Sequence, residues 1–308
     1  MNKSLFILFV FSFYLFANDS SKFKLANELE KAGDIKGAMS IYKSLAAKNI
    51  KKDSRSEEYI KSDTINNSKA KDEALFRELF AGSSISFHEL NYLLLGTYAS
   101  SVPNNDRQKF ETKFNISIKK PIEISLLPKW ANLYMAYSQT SWWQTGKHSS
   151  PFRETNYRPE VFMRLYTNNE RINSFDIGVL HESNGLGKDK SRSWNRVYAS
   201  SKLNFSNLSI TPRVWYHIGD LSDNKDIYRY LGYGDIQARY TTKNISFELL
   251  LRNNFRIKDN KGAVQASLIF PLFGGILGYL QYFNGYSESL IDYNHSTNKI
   301  GIGFTLLR

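Results

Sequence analysis

The chain has 308 residues, no cysteine, a net charge of +12, and Tyr 19 and Phe 21 against only 5 Trp. Without cysteine no disulfide framework holds it together, so stability has to come from a core, a closed sheet or a membrane. The basic balance suits nucleic acid or anionic lipid headgroups, and the export signal that opens the chain excludes the first.

Residues 1–17 read as a secretory signal peptide: Lys3, an uncharged apolar run from Leu5 to Phe16, and the small Ala17 ahead of Asn18 and Asp19. That run is too short for a spanning helix, which needs ~20 residues. The mature chain is expected to start near Asn18. Over residues 22–47, Leu25, Leu29 and Ala32, then Ala38, Tyr42 and Leu45, recur at helical spacing around Gly33-Asp34. The pattern resembles one tetratricopeptide-type helix pair, and a lone copy lacks the neighbours such repeats need. It reads as a short helical appendage in the periplasm. Residues 48–75 are rich in Lys, Asp, Ser and Asn and read as a solvated linker. The expected domains are therefore the signal, a helical segment and charged linker over 18–80, and a third unit over 81–308.

From Phe87 the hydrophobic period changes to two, and twelve strands are expected. They lie near 86–98, 108–120, 130–143, 154–168, 172–184, 193–204, 208–218, 227–240, 245–256, 262–272, 275–286 and 297–308. An even number of strands of this length describes an all-β, twelve-stranded antiparallel transmembrane β-barrel. The connections alternate: those at 167–170, 205–207, 241–244 and 273–275 are short, and those at 144–153, 185–192, 219–226 and 287–296 are longer. Short periplasmic turns facing longer outer loops place the loop after the fifth strand outside the cell. The uncharged stretch Gly262 to Ser287 is interrupted by Pro271 and Gly274-Gly275 and reads as a hairpin rather than a membrane helix.

A soluble antiparallel barrel or sandwich also alternates. Here the two faces look exchanged: in the sixth strand Val197, Ala199, Leu203 and Phe205 share one parity, and Arg196, Tyr198, Lys202 and Asn204 the other. An aromatic content of 15% suits a wall with two interfacial girdles.

The densest polar segment is His181-Glu182-Ser183-Asn184-Gly185 through Ser191-Arg192-Ser193-Trp194-Asn195-Arg196. On a strand His181 and Ser183 point the same way as Phe175, Ile177 and Val179, toward the oily wall. Asn195 shares parity with Val197 and Ala199, so a hairpin brings its amide to the same face. An imidazole between a hydroxyl and an orienting amide is the arrangement that makes serine nucleophilic. By spacing alone such a pair is more often two ordinary hydrated surface residues than a catalytic one; polar groups on a lipid-facing wall, however, are costly and tend to be functional.

The segment His181 to Arg196 closely resembles the outer-membrane phospholipase A family, whose signature is an HxSNG turn followed by SRSWNR. The resemblance extends to Ser138–Trp143, Ser149–Tyr157 and Gly285–Asn294, and covers about residues 86–308. It implies Ser183 as nucleophile, His181 as general base, Asn195 as orienting group and the Gly185 amide at the oxyanion. It also implies a Ca2+ cofactor, bound by the Ser191 hydroxyl and the Leu186 carbonyl, with the Ser149 carbonyl supplied by a second subunit. Asp223 resembles a further calcium position of the family, whose partner position here carries Lys188. Gln139 would lie in a homodimer interface and Tyr157 in the acyl-chain cleft. The implied activity is calcium-dependent hydrolysis of phospholipid acyl esters in the bacterial outer membrane, of phospholipase A1/A2 type and activated by dimerisation. A passive pore or structural barrel, and a receptor using its outer loops, are the non-enzymatic alternatives; the loops look only about ten residues long.

Overall fold

Alternation of side chains decides the architecture. In Ile172–Ser183, Phe175, Ile177 and Val179 are exposed, and Gly178 between them and Ser174 and Leu180 beside them are buried. In Ser296–Thr305, Ile300 and Ile302 face out, and Lys299, at 5% exposure, faces in. Apolar residues outside and charged residues inside is the reverse of a soluble barrel, and it is what a bilayer requires. No helix among the described residues is long and apolar enough to cross a membrane; a closed β-barrel crosses with strands.

The structure, a computed structural model, describes residues 84–103, 107–273 and 276–305, with Met39 alone before them. The expected signal peptide, the helical segment 22–47 and the linker lie outside the described residues. The chain divides into two compact units, and the second of them holds the sheet.

Among the described residues the strands are β1 (Ser86–Phe87), β2 (Tyr92–Ala99), β3 (Phe110–Ile122), β4 (Ala131–Trp143), β5 (Phe152–Tyr166), β6 (Ile172–Ser183) and β7 (Ser193–Phe205). They continue with β8 (Leu208–Ile218), β9 (Gly234–Thr241), β10 (Ser246–Asn253), β11 (Gly262–Pro271), β12 (Leu277–Tyr286) and β13 (Ser296–Thr305). Neighbours in sequence pair antiparallel from β2 to β13, and β13 pairs back onto β2, closing a barrel of 12 strands. Closure leaves no sheet edge with unpaired backbone groups, the condition for a sheet in lipid.

Two expected strands differ. The first is broken, because His88 pairs with Glu160 and Arg158 Nη2 donates to Glu89 Oε2 at 2.7 Å. These inward partners pull residues 88–91 off the ladder, leaving β1 as a separate two-residue strand on β3. The strand expected over 227–240 begins instead with one helical turn, α1 (Tyr228–Leu231). Ile227 and Leu231, four apart, bury together in the cluster around Trp194, Tyr198 and Trp215, and Gly232 at φ +66 ends the turn. The connection 219–233 is consequently longer than the sequence suggests.

One end of the barrel carries the short turns and the other the long loops. Exposed aromatic residues ring both: Tyr98, Phe110, Trp143, Phe152 and Tyr216 toward the long loops, Trp130, Phe205, Tyr240, Phe247 and Phe273 toward the turns. The mouth at the long-loop end is filled. Loop 287–295 tucks in, burying Glu288, Ser289, Leu290 and Tyr293. Glu111 accepts from Arg153 at 2.5 Å and from Lys299 at 2.8 Å, and Glu288 accepts from Lys113 at 3.0 Å and from Trp142 Nε1 at 2.8 Å. Burial opposes the charge on Glu288, but Lys113, Lys299 and Arg153 overcome it and hold its carboxyl at about 2.

Candidate active site

The register of four strands assembles the predicted residues. His181 in β6 lies opposite Asn195 in β7; Ser183 lies opposite Ser193 in β7 and Tyr157 in β5; Tyr157 in turn lies opposite Gln139 in β4. Gln139, Tyr157, Ser183 and Ser193 thus form one rung on the outer wall, with His181 and Asn195 two residues nearer the membrane centre. The outward side chains around them are apolar, Val179 and Val197 along the same strands and Ile218 opposite Asn195.

His181 Nδ1 and Asn195 Oδ1 are 2.8 Å apart. With the amide oxygen as acceptor, Nδ1 carries the proton, and the lone pair of Nε2 is left for a neighbouring hydroxyl. Ser183 stands two residues along β6 on the same face. His181, Ser183 and Asn195 are all half-buried.

The turn after Ser183 is built by Asn184. Its Oδ1 accepts from the amides of Arg192 at 3.0 Å and Leu186 at 3.3 Å, its Nδ2 donates to the Lys190 carbonyl at 2.9 Å, and its own amide donates to the Arg192 carbonyl at 3.0 Å. Gly185 follows at φ +65, and a Cβ there would stand 3.1 Å from the Tyr157 ring. Both the backbone conformation and the aromatic neighbour favour glycine. Gly185 and Leu186 are exposed.

Ser191 Oγ donates to Asp223 Oδ2 at 2.6 Å, joining two of the predicted calcium residues across the gap between loops 184–192 and 219–233. The contact is exposed. Leu186 belongs to the same loop as Ser191. The donor set (a hydroxyl, a carboxylate and peptide carbonyls) is all oxygen and fits calcium rather than a softer metal. No group of three His, Cys, Asp or Glu side chains suited to a metal occurs among the described residues. Ser149 lies in loop 144–151 at the same end, in the left-handed region at φ 63, with its Oγ 3.1 Å from His148 Nδ1. Gln139 is held on the wall: Tyr137 donates to its Oε1 at 2.8 Å and its Nε2 donates to Ser141 Oγ at 3.1 Å.

Three buried residues escaped the sequence reading. Asn184 organises the turn, Asn224, at 2% exposure, accepts from the Ser193 amide at 2.9 Å, and Glu154 sits behind Asn184. The N of the HxSNG signature was a visible pointer to the first. Asn224 and Glu154 act across gaps of 31 and 30 residues that no local pattern announces.

The chain matches the phospholipase A1 family over residues 70–306. The phospholipase A1 of Klebsiella pneumoniae is 32% identical over 234 residues, 71% of this chain and 81% of that protein. The Salmonella typhimurium phospholipase A1 is 34% identical over 224 residues, 71% of this chain and 76% of that protein. A Neisseria meningitidis relative is 39% identical over 210 residues, 64% of this chain and 54% of its own length, so the chain spans about half of that protein. Among solved structures, outer membrane phospholipase A from Escherichia coli superposes with a TM-score of 0.69 at 30% identity, covering 73% of this chain and 92% of that one. The Salmonella typhi outer membrane phospholipase, described as a dimer with bound calcium, gives 0.68 at 31% identity and the same coverage. With an inverted, closed barrel of 12 strands and a family match over most of its length, this chain belongs to the phospholipase A1 family, ester hydrolases of the bacterial outer membrane.

Proposed function

We propose that this chain hydrolyses the acyl esters of phospholipids at its outer wall, with Ser183 as nucleophile, His181 as general base and Asn195 orienting the imidazole. The observation that carries the reading is the 2.8 Å hydrogen bond between His181 and Asn195, set in an apolar wall two residues from Ser183. In that arrangement Nε2 takes the Ser183 proton as Oγ attacks the ester carbonyl carbon. The same nitrogen then returns the proton to the leaving lysophospholipid oxygen, and water activated by His181 releases the fatty acid from the acyl-enzyme. The exposed Gly185 amide is the backbone donor for the oxyanion. A neutral Asn suits a lipid-facing site, where a carboxylate would pay a larger desolvation cost.

Ser191 and Leu186 are the residues that would hold calcium, with the Ser149 carbonyl of a second copy completing the set; Asp223 would belong to a further position. Bound there, the ion would add positive charge beside the developing oxyanion. With neutral ligands only, the affinity expected is that of weak extracellular sites, on the order of 10⁻⁴ M. Calcium bound to the Salmonella typhi dimer supports this coupling of ion and pairing. An ion that binds one state preferentially stabilises it, so calcium should favour the dimer, with Gln139 at the interface and Tyr157 in the acyl cleft. The residues 18–80 are assigned to the periplasm on this reading. A passive pore is disfavoured by the side chains that fill the barrel mouth.

The test uses purified barrel in detergent. A serine-directed sulfonyl label should land on Ser183, fatty acid release should require calcium, and sedimentation should detect a calcium-driven dimer. Hydrolysis with no label on Ser183 would overturn the catalytic assignment. A monomer fully active with calcium would overturn the dimer coupling alone.

A further inference from the structure

A buried carboxylate stands behind the catalytic turn with no part in the chemistry. Glu154 is 2% exposed and points into the barrel beside Asn156, also 2% exposed, on the strand whose outward face carries Tyr157. Glu154 Oε1 accepts from the amide of Ile291 at 3.0 Å and from Asn156 Nδ2 at 2.5 Å; Asn156 Oδ1 accepts from the amide of Leu290 at 2.9 Å. The other oxygen, Oε2, faces Asn184 Nδ2 at 3.5 Å. One carboxylate therefore connects mouth loop 287–295 to the residue between Ser183 and Gly185.

The orientation of Asn184 is not free. Its Oδ1 is committed to two backbone donors, Arg192 and Leu186, so its Nδ2 has to point at the Lys190 carbonyl and at Glu154. The three groups around Glu154, the Ile291 amide, Asn156 Nδ2 and Asn184 Nδ2, are all donors, so both of its oxygens are placed to accept. A glutamine would turn an amide hydrogen against either Asn184 or the Ile291 and Asn156 pair, and a buried donor left facing a donor is costly.

We propose that Glu154 is a positioning residue for hydrolysis: through Asn184 it holds the turn that carries Ser183 and the Gly185 amide against the filled barrel mouth. The proposal rests on Ser183 being the nucleophile. It follows from chain order, because Asn184 separates the nucleophile from the oxyanion donor, and a displacement of its side chain moves both relative to His181, which is fixed to β7. Misplacements of about 1 Å at reacting atoms cost about 10²-fold in rate. Glu154 lies inside the barrel and never touches lipid, so substrate binding should be spared.

The test compares wild type, Glu154→Gln, Glu154→Asp, Asn184→Ala and the double variants as full-length barrels in detergent. The readouts are the rate at which a sulfonyl label modifies Ser183, kcat and KM on phospholipid micelles, and heat-modifiable migration as the measure of a folded barrel. Glu154→Gln should slow labelling and kcat together by about 10- to 100-fold with KM within about 3-fold, while the barrel stays folded. Glu154→Asp keeps two carboxyl oxygens without amide hydrogens and should recover part of that loss. Because Glu154 acts through Asn184, adding either change to Asn184→Ala should produce no further loss. Wild-type labelling in Glu154→Gln, or losses that multiply in the double variant, would overturn the proposal. Equal losses for Gln and Asp would reduce Glu154 to a packing role and overturn it as well. Should Glu154→Gln fail to assemble, Glu154→Asp with and without Asn184→Ala decides by the same rule. If wild type hydrolyses lipid without labelling at Ser183, the catalytic reading itself falls, a result distinct from all of these.

Discussion

The barrel mouth and the outer wall handle polar groups in opposite ways. Inside, Glu111, Glu288 and Asp292 are interleaved with Lys113, Arg153 and Lys299, all largely buried and each within reach of opposite charge. Outside, the candidate site is made of His181, Ser183 and Asn195, with no carboxylate, ammonium or guanidinium among them, set among exposed valines and isoleucines. A charge can be buried where counter-charges and hydrogen bonds surround it, and it is expensive on a wall that faces hydrocarbon. The mouth therefore uses charge to fix structure. The wall around the candidate site uses polar groups without fixed charge.

Separate substitutions should break the two regions separately. The largest effect expected is on the wall: Ser183→Ala should lower fatty acid release by about 10⁴-fold or more while heat-modifiable migration stays that of wild type, because the residue contributes no lumen contact. Asn195→Ala should cost less, since water can partly replace an orienting amide. An active Ser183→Ala barrel would remove the contrast.

In the mouth, Lys299→Ala should reverse the pattern. It strips the ammonium from Glu111 and Glu288, which it meets at 2.8 and 3.3 Å, and leaving buried carboxylates short of a partner costs about 3–5 kcal/mol. Detergent unfolding should detect that loss, and the rate of labelling at Ser183 in the remaining folded barrel should change little. A stable barrel with a slowed label would mean that mouth and wall are coupled through Lys299.

The smallest effect sharpens the electrostatic half of the comparison. The Glu288 carboxyl is held at about 2, below its ordinary 4.5. A depressed folded value means that its stabilisation is complete above pH about 4.5 and is lost as pH falls through about 2. The unfolding midpoint of wild type should thus fall between pH 5 and pH 3, and Glu288→Gln, less stable at neutral pH, should show a flatter dependence across that window. An identical slope in both proteins would show that the mouth charges are not what acid titrates.

What the sequence determined by itself is whatever repeats locally. A period of two over strands of about ten residues marked the barrel, and the strand expected over 208–218 is observed as Leu208–Ile218. Parity placed His181, Ser183 and Asn195 on one face, and antiparallel pairing of β6 with β7, neighbours in sequence, brings them together. What only the tertiary structure decided lies across long gaps in the chain. Ser191 meets Asp223, Asn224 supports the start of β7, Glu154 joins Asn184 to Ile291, and β13 closes onto β2. The break at 88–91 and the turn α1 belong to the same group, since each follows from partners inside the barrel, Glu160 and Arg158 for one and the Trp215 cluster for the other. Periodicity fixes which face a side chain takes. The neighbours it finds there are set by the register of closure, which no single strand encodes.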